Sequence, residues 1–212
     1  MGELRAIKEV IYGKPTLGEI LSVLDISVLN EIVYNVRFKK FKGAGKKEIV
    51  DLLIQTLPGA VREIIKKFDI ERYELIKRII ENKGILYNCN INDSKKHALT
   101  LTGLVYPIVI DCERALFMPD EIFNSLGDID NIDIVRAIQN NTKFINNIHG
   151  ILCYHGYMDL DDIFQHTLKR KAAESLENLS YLETLRMAVF YYDWIEVDGM
   201  GFRYEEVEDC LI

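Results

Sequence analysis

Apolar residues recur along this chain at helical spacing, and capping or breaking residues punctuate them. Thr16-Leu17-Gly18-Glu19 has the form of a capping box, a hydroxyl and a carboxylate satisfying two orphan amides, so a short helix is expected over 17–23. Asp25 suits the cap of a second helix over 26–36, with Val28, Leu29, Ile32, Val33 and Val36 as its apolar set. Gly43 and Gly45 then punctuate a loop that runs into another helix start. That helix would bury Ile49, Leu52 and Leu53 and stop near Leu57-Pro58-Gly59, because proline does not continue a helix interior. A short helix carries Val61, Ile64 and Ile65. Asp69 caps the next, which buries Leu75, Ile76, Ile79 and Ile80 and stops at Gly84.

Further on, Ser94 is placed to cap a helix from Lys95 to about Leu104. Two short β-prone runs follow, 105–110 and 115–118, with a hairpin turn at Asp111-Cys112-Glu113-Arg114. Pro119 opens a helix whose first turn holds Asp120 and Glu121. The later chain repeats the order. Residues 144–154 read as helix, Asp159 caps a helix to about Lys169, and Ser180 caps one to about Phe190. Strands over 191–197 and 202–207 then flank the turn Asp198-Gly199-Met200-Gly201. Helix, helix, hairpin is the order of a winged helix. The expected fold is mainly α (α+β): a helical head at 1–68 and two winged-helix-like units at 69–127 and 134–212, with the polar stretch 127–133 as linker.

Composition narrows the class. The 212 residues are 49% hydrophobic and 28% charged, which is globular rather than disordered. No apolar run reaches the 18 residues of a membrane span, and the first ten residues hold no signal-peptide core, so a cytoplasmic protein with no membrane partner is expected. Cys89, Cys112, Cys153 and Cys210 lie far apart and read as free thiols. The net charge of −7 hides an asymmetry, since residues 1–85 carry +4 and residues 86–212 carry −11. Only the first part suits a polyanion.

The segment 17–57 resembles the SAP motif and the N-terminal helical domain of the Rho transcription terminator. The likeness rests on the helix Leu29-Asn30-Glu31-Ile32-Val33, the basic glycine-containing loop, and Lys46-Lys47-Glu48-Ile49-Val50-Asp51-Leu52-Leu53. The usual version has a shorter loop. Segment 73–126 is similar to the winged-helix region in the N-terminal part of some bacterial group B xeroderma-pigmentosum-type helicases, through Leu101-Thr102-Gly103-Leu104-Val105-Tyr106-Pro107 and Leu116-Phe117-Met118-Pro119-Asp120-Glu121-Ile122. Similar heads occur in uncharacterised Firmicute and phage proteins. The resemblance covers about half the chain and implies nucleic-acid handling. It carries over no catalytic residue, and the phosphate-binding loop of the helicase motor is missing.

The sharpest chemical feature is the basic loop, where Arg37, Lys39, Lys40, Lys42, Lys46 and Lys47 alternate with Phe38 and Phe41. Cations beside a helix start can hold phosphates, and an exposed Phe can stack on a base. The ordinary alternative makes the phenylalanines core anchors and the lysines a solvated rim. His149, His155 and His166 with Cys153 and Asp159 invite a metal, but only His149 and Cys153 share a helix face, and zinc needs convergent ligands. Asp159, Asp161 and Asp162 lack the glycine and distal glutamate of a calcium loop. Tyr181, Tyr191, Tyr192 and Trp194 form an aromatic set suited to a core or a protein interface. No nucleophile-elbow, zincin or dinucleotide motif occurs, so neither enzyme chemistry nor a cofactor is expected. The reading is a nucleic-acid-associated regulatory or accessory protein that touches DNA or RNA through the basic head and protein through its acidic C-terminal unit. The alternative is a protein–protein adaptor. The helix before the last hairpin carries Glu183 with only Arg186 against it, so it is not expected to read bases.

Overall fold

The computed structural model describes residues 14–36, 44–110, 112–159, 175–192, 194–197 and 201–204. The fold is mainly α with two small antiparallel sheets. Three helices open it: α1 (Leu17–Val23), α2 (Ile26–Val36) and α3 (Lys46–Ile65). The Thr16 hydroxyl accepts from the Glu19 amide at 3.2 Å while the Glu19 carboxylate accepts from the Thr16 amide at 2.7 Å, which is the expected capping box. Between Val28 and Val36 the chain is helical throughout.

The expected stop at Pro58 does not occur, because α3 continues through it to Ile65. Proline forfeits one backbone bond and costs an interior helix about 3 kcal/mol. The buried stripe Leu53, Leu57, Val61, Ile64 and Ile65 runs unbroken across it, and that burial outweighs the lost bond. The short helix expected around Val61 is therefore the second half of α3.

Asp69 caps α4 (Ile70–Glu81), accepting from the Arg72 amide at 3.0 Å. Gly84, at φ +86°, turns the chain out of α4. It leads into a strand that the sequence reading omits, β1 (Ile85–Tyr87). Next, α5 (Asp93–Leu101) starts two residues earlier than Ser94 suggested, because the Asn92 side chain takes the capping bond from Lys95 at 2.9 Å. It also ends before Gly103, whose φ of +75° only glycine adopts easily. The hairpin of β2 (Tyr106–Ile110) and β3 (Glu113–Phe117) follows, with a tighter turn than expected: Ile110 already pairs with Glu113. β1 adds to β3, giving the order β1-β3-β2. Pro119 is the N-cap of α6 (Asp120–Phe123).

The polar stretch after α6 is tied down, since Tyr73 donates to Asp130 at 2.5 Å and Lys77 pairs with the same carboxylate at 3.1 Å. α7 (Ile132–His155) then runs longer than expected to a left-handed cap at Gly156. Buried Asn141 on α7 donates to the carbonyls of Lys66 and Phe68 at 2.8 and 2.9 Å, satisfying acceptors freed where α3 ends. β4 (Tyr157–Asp159) follows, so Asp159 closes a strand. The helix expected from Asp159 to Lys169 lies outside the described residues, as do Asp198, Gly199 and Met200 of the second turn. α8 (Ser175–Tyr191) begins upstream of Ser180, the residue expected to cap it. Tyr191 ends that helix, so the hairpin expected from 191 starts later, as β5 (Trp194–Val197) and β6 (Gly201–Tyr204). The second sheet has the order β4-β6-β5. In both sheets the strand before the helix pairs with the last strand of the hairpin.

One large apolar cluster draws on residues from Leu17 to Ile138 and takes Met187 and Tyr191 from α8. A smaller one joins Phe144, Ile145, Ile148 and Leu152 of α7 to Leu185, Ala188 and Val189 of α8. α8 thus has two apolar faces. Met187 and Tyr191 enter the large cluster, and Leu185, Ala188 and Val189 the small one. Among the described residues, no helix is long and apolar enough to cross a membrane.

Candidate nucleic-acid interface

The basic segment lies in sequence between α2 and α3. Of its six cations, Lys46 and Lys47 are described, and both are exposed in the first turn of α3. Arg37, Lys39, Lys40 and Lys42, with Phe38 and Phe41, lie outside the described residues. Gly45 is the N-cap, and the Glu48 carboxylate accepts from its amide at 3.1 Å. This α3 start therefore carries two outward ammonium groups around one bound carboxylate. That arrangement can hold a phosphate by charge, while Glu48 lowers the local potential.

A second cationic helix start, absent from the sequence reading, belongs to α5. Lys95 and Lys96 sit in its first turns, and Lys96 pairs with Asp93 at 2.8 Å. Lys95 is enclosed. Its ammonium bonds Glu71 at 2.5 Å and lies 4.9 and 5.8 Å from the ring centres of Tyr191 and Tyr192. α8 packs along α5, and its last residue, Tyr191, and the residue after it, Tyr192, supply the rings. Behind them lies a buried ion pair between Asp69 and Arg72 at 3.2 Å, each side chain 2% exposed. The Tyr192 phenol donates to Asp69 at 2.7 Å and the Tyr191 phenol to Glu71 at 3.1 Å. Arg72 lies between the rings of Phe68 and Tyr191, at 5.2 and 5.7 Å from their centres. Burial would raise the Asp69 carboxyl, but the Arg72 guanidinium, the Arg72 amide and the Tyr192 phenol together hold it below its ordinary value. Burial pushes the Tyr191 and Tyr192 phenols well up, and the neighbouring carboxylates add to that. Both stay neutral donors.

Two further ion pairs tie α8 to α2 and to the turn after α3. Arg186 bonds Glu31 of α2 at 3.1 Å and stacks on Tyr34 at 3.5 Å, and Lys67 bonds Glu183 at 3.1 Å. Arg186 and Glu183 thus pair with residues of the protein itself. His97 of α5 faces Glu31. Its Nδ1 is buried and finds no hydrogen-bond partner in the protein, and burial lowers its pKa against the opposing pull of Glu31.

The sequence reading treats Asp69 only as a cap and Tyr191 and Tyr192 only as part of an aromatic set. The usable signal was a cap residue three before an arginine, an acid–base pair that can close on itself at a helix start. The metal suggestion finds no support among the described residues. His149 lies edge-on to Tyr192, His155 stacks against Tyr154, and no group of three or more His, Cys, Asp or Glu converges. His166 lies outside the described residues. No family model, curated protein or solved structure matches the chain.

Proposed function

We propose that this chain is a non-enzymatic, nucleic-acid-associated regulatory or accessory protein. It contacts phosphate through Lys46 and Lys47 and through Arg37, Lys39, Lys40 and Lys42 of the segment before them. The observation that carries this reading is the pair of exposed lysines in the first turn of α3, directly after a basic, glycine-punctuated segment that separates two helices in sequence. The helix-then-hairpin order of both later units, with its shared strand arrangement, supports a winged-helix-like ancestry for them. Such contact is weak, largely independent of sequence and steeply salt-dependent, because released counterions supply the free energy.

A protein–protein adaptor is the second reading. It is favoured by α7, which leaves Ile132 70% and Tyr154 82% exposed. The test is a titration of the full chain with single-stranded and duplex DNA and with RNA, at low and moderate salt. Reversal of Lys39, Lys40, Lys46 and Lys47 to Glu is expected to abolish binding and leave the helical signal unchanged. Absence of binding by the parent chain at low salt would leave the adaptor.

A further inference from the structure

We infer that the outward face of α7 reads base edges in the major groove of duplex DNA. This rests on the nucleic-acid reading above and deepens it: the basic segment supplies contact that ignores sequence, and α7 adds a preference among bases. Arg136, Gln139, Asn140, Lys143, Asn146 and Asn147 are all exposed. On a helix of 3.6 residues per turn they fall within one arc of about 120°. That arc lies opposite the buried Ile134, Ile138, Ile145 and Leu152. Arginine, lysine, asparagine and glutamine are the side chains that match base edges in the major groove. Cations suit guanine, and a carboxamide donates to adenine N7 while accepting from its amino group. The set that α8 lacks is thus present on α7.

Charge points to the same partner. Residues 86–212 carry −11, yet from Ile134 to Met158 the chain holds no carboxylate, the longest such stretch it contains. Neither Arg136 nor Lys143 pairs with a carboxylate among the described residues. Folding does not call for the outward amides, because asparagine is a poor helix former. Asn141 is different, since it is buried and bonds the carbonyls of Lys66 and Phe68. Gly150 shares the outward face, with nothing within 4 Å of where its Cβ would stand, so a groove wall can approach the backbone there. The helix has 24 residues and is about 36 Å long. The major groove of DNA admits a helix, whereas that of A-form RNA is too narrow. Ile132 and Tyr154, its exposed apolar residues, stand at the two ends, about 33 Å apart, and leave the polar face between them.

The test uses the full chain and its variant Gln139→Ala, Asn140→Ala, Asn146→Ala, Asn147→Ala. Net charge is unchanged, so long-range attraction cannot account for a loss, and alanine at exposed helix positions favours the fold. Binding is titrated at low salt with three duplexes of equal length: A·T pairs, G·C pairs, and A·T pairs carrying 7-deazaadenine, which lacks N7. The parent is expected to prefer the A·T duplex. The variant is expected to lose about tenfold on it, the order of one good carboxamide–adenine pair, and to bind the G·C duplex as before. The 7-deazaadenine duplex is expected to cost the parent a similar factor and the variant nothing. Equal affinity of parent and variant for the A·T duplex, or an equal loss on the G·C duplex, would overturn the proposal. So would a dimer in solution that the same alanines dissolve, since that would give the face to a second copy of the chain. If the variant melts below the parent, Asn140→Asp with Asn147→Asp reads the same face with isosteric side chains. A·T binding is then expected to fall at least as far, and unchanged binding refutes the proposal. Parent binding that is lost on reversal of Lys46 and Lys47 but indifferent to the alanines sinks the α7 face alone. No binding by the parent sinks the nucleic-acid reading and the α7 face with it.

Discussion

Asp69→Ser isolates the contribution of the buried ion pair, because serine can still cap α4 while the charge opposite Arg72 is gone. Arg72 would be left 2% exposed with no carboxylate beside it. The phenol of Tyr192, now donating to Asp69 at 2.7 Å, would lose its acceptor as well. Breaking one side of a buried pair costs about 3–5 kcal/mol, and in a chain of this size that lowers the melting temperature by roughly 10 °C. Arg72→Met should cost less, because the Asp69 carboxylate keeps the α4 amide and the phenol. The double variant removes both charges and should cost only about 1–2 kcal/mol. Urea unfolding of the parent, the two single variants and the double variant closes the cycle, with an expected coupling of at least about 2 kcal/mol. The pair also sets a pH dependence. The Asp69 carboxyl is held below its ordinary value of 3.8 in the folded chain, so its stabilisation is complete above that value and is lost as pH falls further. Asp69→Ser should therefore flatten the acid limb of the stability profile. Additive single variants, or a cost for Asp69→Ser below about 1 kcal/mol, would refute the reasoning.

Gly103→Ala should destabilise by about 2–4 kcal/mol in the same assay, through an unfavourable backbone conformation and an overpacked core. The residue sits at φ +75°, and an added Cβ would lie 2.7 Å from Leu57 Cδ2 and 3.0 Å from Ile32 Cγ2. His97→Leu removes a group whose pKa is lowered by burial, so its neutral form stabilises the fold above its ordinary value of 6.5 and that stabilisation fades as pH falls below it. The variant should gain on the parent by up to about 1.4 kcal/mol per pH unit on going below pH 6.5. A constant difference in unfolding free energy between neutral and mildly acidic buffer would contradict this.

Local chemistry was legible where a single residue type has one strong local use. The Thr16–Glu19 box, the Asp69 cap, the Gly84 stop and the first hairpin each follow from one backbone requirement met by one side chain. Where two residues compete for the same role, sequence alone chose badly. Asn92 and Ser94 can both cap, and geometry gives the bond to Asn92. Pro58 was misread because its local penalty is visible in sequence while the buried stripe that overrides it is tertiary. β1 spans three residues, too few to show a period of two. Of the candidate site, the two exposed lysines of α3 were legible from charge and position. The α5–α8 seam was not, because it pairs residues more than ninety positions apart and places at its centre two charges that composition assigns to the surface.

The distant pairings also fix the order in which the molecule can be built. Glu31 meets its partner 155 residues later, and Asp69 meets the Tyr192 phenol 123 residues later. Loop closure over such spans must precede the contacts that reward it, and topologies rich in distant pairs fold slowly. A chain emerging from the ribosome can assemble α1 to α6 and their sheet first, while Arg72 stays open to water on one side. Tyr191 is made 119 residues after Arg72 and covers that side. The docking of α8 thus comes after the assembly of α1 to α6, and the buried ion pair waits for a partner made more than a hundred residues later.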